Sequence, residues 1–164
     1  MTEFANTGHH LSPGNQDDDE CIRLCIQFLI YPGEIPHQQV TSMLGVLPTT
    51  AHNRGDQVTN SLGRTRTCRL TLWELSSEDE VAIRDVRRHL DWLVERIRPG
   101  EEGLRRLQAE SGVRMGITCR WWTKTDQALP RLWPEQMYWL SRLNQQLEIN
   151  AQFWGDDEED DQAS

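Results

Sequence analysis

From Cys21 to Tyr31 the chain alternates, with Ile22, Leu24, Ile26, Phe28 and Ile30 on one side and Cys21, Arg23, Cys25, Gln27 and Leu29 on the other. Period two over ten residues predicts a strand with one buried face, and Pro32-Gly33 stops it. Pro36 then suits the first turn of a short helix, which carries Val40, Met43 and Leu44 and ends at Gly45. A polar loop runs from Pro48 to about Arg66 and leads into a second strand, Thr67 to Leu75. This strand is expected to turn Leu70 and Leu72 inward and Arg69, Thr71 and Trp73 outward. The Ser76-Ser77-Glu78-Asp79-Glu80 run supplies cap and first-turn chemistry for the longest helix, where Ile83, Val86, Leu90, Leu93, Val94 and Ile97 recur at helical spacing.

Pro99-Gly100 interrupts that helix, and Leu104 and Leu107 continue a second, shorter one to Gly112. A third strand, Val113–Trp122, alternates Val113, Met115, Ile117, Cys119 and Trp121 against Arg114, Thr118, Arg120 and Trp122. A helix opening at Pro134 follows, with Met137, Leu140 and Leu143 facing in. The last strand, Leu147–Trp154, sets Leu147, Ile149, Ala151 and Phe153 against Glu148, Asn150, Gln152 and Trp154. Read in order, the elements make two β-α-β halves joined by a long helix. That order predicts a ferredoxin-like α+β sandwich: an antiparallel four-stranded sheet with helices on one face.

Composition sharpens this reading once it is divided along the chain. The 164 residues carry a net charge of −9, and mean hydropathy is −0.69. Five acidic residues fall in positions 1–20 and six more in 156–161, so residues 21–155 hold seventeen basic and fifteen acidic side chains, about +2. The expected organisation is one domain over 21–155 between two disordered acidic ends, 1–20 and 156–164, since runs of like charge repel and bury nothing. No apolar stretch is long enough to span a membrane. No basic segment precedes an apolar one near the start, so no secretory signal is expected and the location implied is cytoplasmic. Cys21, Cys25, Cys68 and Cys119 form no C-x-x-C pair and read as reduced thiols. The five histidines have no metal-ligand spacing, so neither a metal nor another cofactor is expected.

Several stretches, in this order, resemble a known family. They are Pro32-Gly33-Glu34-Ile35-Pro36 with Val40 and Leu44-Gly45-Val46, then Pro48-Thr49, Gly55-Asp56 and Trp73-Glu74-Leu75-Ser76-Ser77, then Leu90, Leu93, Leu132, Pro134-Glu135 and Leu140, and a closing Leu147-Glu148-Ile149. Over about residues 22–154 the chain resembles the bacterial domain-of-unknown-function family numbered 4279. The resemblance implies a bacterial α+β domain and brings no established activity, so it transfers no catalytic residues. The acidic ends depart from the family's usual pattern.

A sheet covered on one side leaves a second face to explain. By alternation that face carries Arg23, Arg69, Arg114 and Arg120 with Trp73, Trp122 and Trp154. Exposed aromatic patches mark interfaces and ligand grooves, and Trp and Arg are the favoured anchors of protein interfaces. A protein partner or a second copy of the chain is therefore the leading occupant. A toxin-neutralising, immunity-like role is the sharper form, because acidic ends speed association with a basic toxin. Single-stranded nucleic acid is the alternative, with bases on rings and arginines on phosphates. The missing aromatic-glycine signature and the acidic ends weigh against it. A small ligand on the same face is the other alternative, and arginine stems stacking locally on tryptophan would leave the face with no occupant at all.

Catalytic arrangements are missing: no G-x-S-x-G elbow, phosphate loop or H-E-x-x-H occurs, and no enzyme is expected. Arg54-Gly55-Asp56 reads first as turn chemistry. Its second reading places Arg54 and Asp56 in a groove beside Trp73.

Overall fold

The computed structural model describes residues 20–125 and 129–154. Within these described residues, seven strands and four α-helices follow one another as β1 (Cys21–Tyr31), α1 (His37–Leu44), β2 (Thr50–His52), β3 (Gln57–Thr59), β4 (Thr65–Thr67), β5 (Leu72–Ser76), α2 (Val86–Ile97), α3 (Glu101–Ala109), β6 (Arg114–Thr123), α4 (Pro134–Arg142) and β7 (Leu147–Phe153). A 3-10 turn, Arg98–Gly100, joins α2 to α3. The class is α+β. The main sheet has five strands in the order β2-β5-β1-β6-β7, and β3 and β4 form a separate two-stranded sheet.

The ferredoxin-like expectation of four antiparallel strands is corrected on two counts. First, β7 pairs with β6 in parallel, because a crossover through α4 brings the chain back in its original direction. Second, Thr50–His52, expected as loop, forms an edge strand antiparallel to β5. The first β-α-β unit is thus β1-α1-β2, and β5 slots between its two strands. Thr67, expected to begin the second strand, belongs instead with residues 65 and 66, expected as loop, to a hairpin with 57–59. That hairpin is tied by the Thr59 and Thr65 hydroxyls 2.8 Å apart and by Asn60, whose side chain accepts from the backbone N–H groups of Leu62 and Arg64.

The separate hairpin also resets the phase of the second strand. Residues opposite one another on paired strands share a face, and Trp73 and Leu75 lie opposite Ile30 and Phe28. Both therefore point into the core, where Trp73 is completely buried, and Leu72 takes the outer side. The expected placement of Trp73 on the open face is thereby reversed. Its indole N–H donates to the Thr41 hydroxyl on α1 at 3.0 Å, which removes the cost of burying the ring's only polar atom. Thr71, expected on the same outer face, is buried before the strand begins and accepts from the Arg54 N–H.

A bulge produces the other exchange. Ile22 and Arg23 together oppose Trp122, and the register shifts between Cys21 and Arg23. Cys21 consequently joins the core, whereas Ile22 is 40% exposed, the reverse of what alternation predicts. From Leu24 to Ile30 the alternation holds as read.

All four helices pack on the face bearing Phe28, Trp73, Ile117 and Trp121. The longest, α2, starts at Val86 rather than after Ser77, because Asp85 is its cap and accepts from the Arg87 N–H at 3.0 Å. Its buried stripe includes His89 besides Val86, Leu90, Leu93 and Ile97. Gly103 brings α3 against the end of α1, where a Cβ would overlap the Met43 carbonyl. In α4, Leu140 and Leu143 are buried as expected, but Met137 is half exposed and Gln136 takes the inner position. Gln136 accepts from the Trp133 N–H and donates to Asp91 on α2. On β7 the expected inward residues Ile149 and Phe153 are 45% and 60% exposed, since the edge strand extends beyond the helical layer. The expectation of disordered acidic ends falls outside the described residues, apart from Glu20. None of the helices described is long and apolar enough to cross a membrane.

Candidate binding face

The uncovered side of the sheet is built chiefly by β1 and β6, whose long antiparallel pairing puts Arg23 opposite Trp122, Cys25 opposite Arg120 and Gln27 opposite Thr118. The Arg23 and Arg120 guanidiniums lie over the Trp122 ring, 5.0 and 5.1 Å from its centroid. Such cation–π contacts hold a half-exposed ring in place at a wet surface. Arg23 is also paired with Glu78. At the other end of the two strands, Arg114 lies over Tyr31 at 5.8 Å. Between these clusters, Gln27 donates to Glu74 on β5 at 2.6 Å. The face thus alternates arginine and aromatic residues, with carboxylates interspersed.

Cys25 belongs to this face by register but is 1% exposed. Burial pushes its thiol pKa up, while the charges of Arg120 and Arg23 pull it the other way. Cys119, on the helical side, is pushed up to about 12 by burial, with the neighbouring Cys25 and Cys21 adding to the effect. Thiols held in this way are weak nucleophiles at neutral pH. All four cysteines are buried and free of disulfides.

Arg23, Arg120 and Trp122 are therefore brought together as the alternation predicts, with Arg114 further along the same face. The other candidates are not. Trp73 is core. Trp154 lies just past β7, 66% exposed, with its backbone N–H bonded to the Thr123 carbonyl. Arg69 precedes β5 and stands at the far end of the face, beside the hairpin. Arg54 and Asp56 occupy the turn between β2 and β3: Arg54 lies 3.8 Å from Glu34, and Asp56 accepts from the Asn53 N–H at 2.7 Å. That is turn chemistry, and with Trp73 buried the second reading of a groove beside it has no wall. The described residues contain no cluster of three histidine, cysteine or acidic side chains that could hold a metal.

The chain matches the model of DUF4279, a domain of unknown function, over residues 20–154. It is a member of the DUF4279 family. No curated protein and no solved structure matches it.

One polar pair of this DUF4279 domain escaped sequence reasoning. Ser77 and His89 are 2.6 Å apart, Oγ to Nδ1, and both are buried. The Ile83 carbonyl, 2.9 Å from Nε2, can only accept, so Nε2 carries the proton and Nδ1 accepts from the Ser77 hydroxyl. Ser77 in turn accepts from the Ile26 N–H at 2.8 Å. The spacing resembles a nucleophile and its base, yet the pair is sealed from solvent and fastens α2 to β1. Burial lowers the His89 pKa, against the opposing Ile83 bond and Asp85 charge. Its signal in the sequence was the position of His89 on the apolar stripe of α2, three residues after Val86.

Proposed function

We propose that this DUF4279 domain is a non-catalytic protein-binding module whose working surface is the open face of its sheet. The observation that carries this reading is the Arg23–Trp122–Arg120 cluster, an aromatic anchor held ready between two cations with Glu74 and Glu78 nearby. Tryptophan and arginine dominate binding energy at protein interfaces, and mixed charge suits a protein surface better than a polyanion. Single-stranded nucleic acid is the weaker occupant: a base needs a bare ring to stack on, and the Trp122 ring is already engaged by two guanidiniums. In its sharper form the module neutralises a basic toxin, its acidic sequence ends hastening encounter.

The first partner to test is a second copy. Light scattering of the full chain over a concentration series, with and without a single-stranded oligonucleotide, separates the readings. A dimer abolished by Trp122→Ala with Arg120→Glu supports the module. A monomer that binds the oligonucleotide saturably, and loses it in the same variant, overturns it. The immunity-like form further expects rescue of cells from a toxin encoded beside the gene, and loss of that rescue with Arg120→Glu.

A further inference from the structure

At the end of the open face away from Trp122, the sheet and the β3–β4 hairpin border an open cleft of about 800 Å³. Three neighbouring strands supply one side of it: Tyr31 from β1, His52 from β2 and Leu72 from β5. The hairpin and the residues after it supply the other, with Arg66 and Arg69 as its charged members. The lining contains no acidic side chain, and among the described residues neither arginine takes part in an ion pair. Arg114, stacked on Tyr31, adds a third positive charge at the edge. Elsewhere among the described residues Arg23, Arg54, Arg87, Arg96, Arg105, Arg106 and Arg142 each meet a carboxylate, whereas Arg66 and Arg69 keep their charge open to the cleft.

The cleft is also rooted. Cys68, whose side chain is buried, exchanges backbone hydrogen bonds with the turn after β2: Gly55 N–H to the Cys68 carbonyl and Cys68 N–H to the Asp56 carbonyl, each 2.8 Å. The Arg54 N–H donates to the Thr71 hydroxyl at 3.1 Å. Arg66 on the hairpin and Arg69 just after it are therefore fastened at their base to the turn that follows β2, which reduces the ordering a ligand must impose.

We propose that this cleft binds a small molecule with an anionic oxygen group on a flat or apolar body. The guanidiniums of Arg66 and Arg69 take the phosphate or carboxylate, the geometry to which paired N–H donors are matched. The body lies on Tyr31 and Leu72. This site is separate from the protein-binding cluster, since Arg23 and Tyr31 are eight residues apart on β1, about 26 Å at strand spacing.

Titration calorimetry and amide NMR with phenyl phosphate, benzoate and inorganic phosphate test it on the full chain. Phenyl phosphate or benzoate is expected to bind more tightly than inorganic phosphate and to shift the amides of Leu70 and Leu72. The tighter of the two organic probes identifies the head group as phosphate or carboxylate. Arg66→Ala and Arg69→Ala, at exposed positions, are each expected to weaken binding about tenfold. Arg105→Ala, which breaks a pair with Glu101 on α3, leaves it unchanged. No saturable binding of any probe, equal affinity for inorganic phosphate and the organic probes, or affinity unmoved in both arginine variants overturns the proposal.

Discussion

Trp121 and Trp122 are consecutive on β6 and live in opposite surroundings. Trp121 is 2% exposed and packs in the core under the helices, whereas Trp122 lies on the open face beneath two guanidiniums. The pleat alone separates them, because successive side chains on a strand point to opposite faces. The helical face solves its polar problem by satisfying isolated atoms, as Thr41 does for the Trp73 indole. The open face never removes its rings from water, and covers them with charged stems that stay hydrated. One side of the sheet therefore holds the fold together, while the other presents its half-exposed rings beneath hydrated cations.

This contrast breaks first on the core tryptophans. Trp73→Ala and Trp121→Ala are each expected to cost about 3–5 kcal/mol in urea unfolding, the range for deleting a large buried aromatic side chain. A loss as small as that of a surface substitution at either position would end the distinction between the faces. A middle-sized effect comes from the sealed Ser77–His89 pair. Because burial lowers the His89 pKa in the folded state, the unfolded chain takes up this proton first as pH falls. Its contribution leaves stability unaffected above about pH 6.5 and erodes it below, by at most about 1.4 kcal/mol per pH unit. Unfolding midpoints between pH 8 and 5 check this against His89→Gln, which is expected to be less stable throughout and to lack that component of the slope. The smallest effect sharpens the comparison most: Trp122→Ala is expected to cost about 1 kcal/mol or less in stability, the scale of exposed cation–π contacts, while weakening partner binding. Equal stability losses for Trp121→Ala and Trp122→Ala would place both rings in the core.

Legibility in the sequence followed the length and regularity of each element. β6 and most of β1 are long and strictly alternating, so alternation alone puts Arg23, Arg120 and Trp122 on one face. Trp73 could not be placed in this way, because its strand has only five residues and follows a hairpin that shifts the phase by one position. A single-residue slip carries every side chain to the opposite face. The same sensitivity exchanged Cys21 with Ile22 at the bulge. β2 has three residues, too few for any periodicity to register, and the cleft needs that strand, the hairpin and the end of β1 at once.

By itself, then, the sequence determined the class, the buried stripes of α1, α2 and α3, and the face to which each side chain of the two regular strands turns. Each of these depends on neighbours within one element, where period and capping act locally. Only the tertiary structure decided the five-stranded order, the parallel return of β7, the burial of Trp73 and the meeting of Tyr31, His52 and Leu72 with Arg66 and Arg69. Those outcomes depend on which strand finds which partner, and residues far apart in the chain settle that choice together through the core they jointly bury.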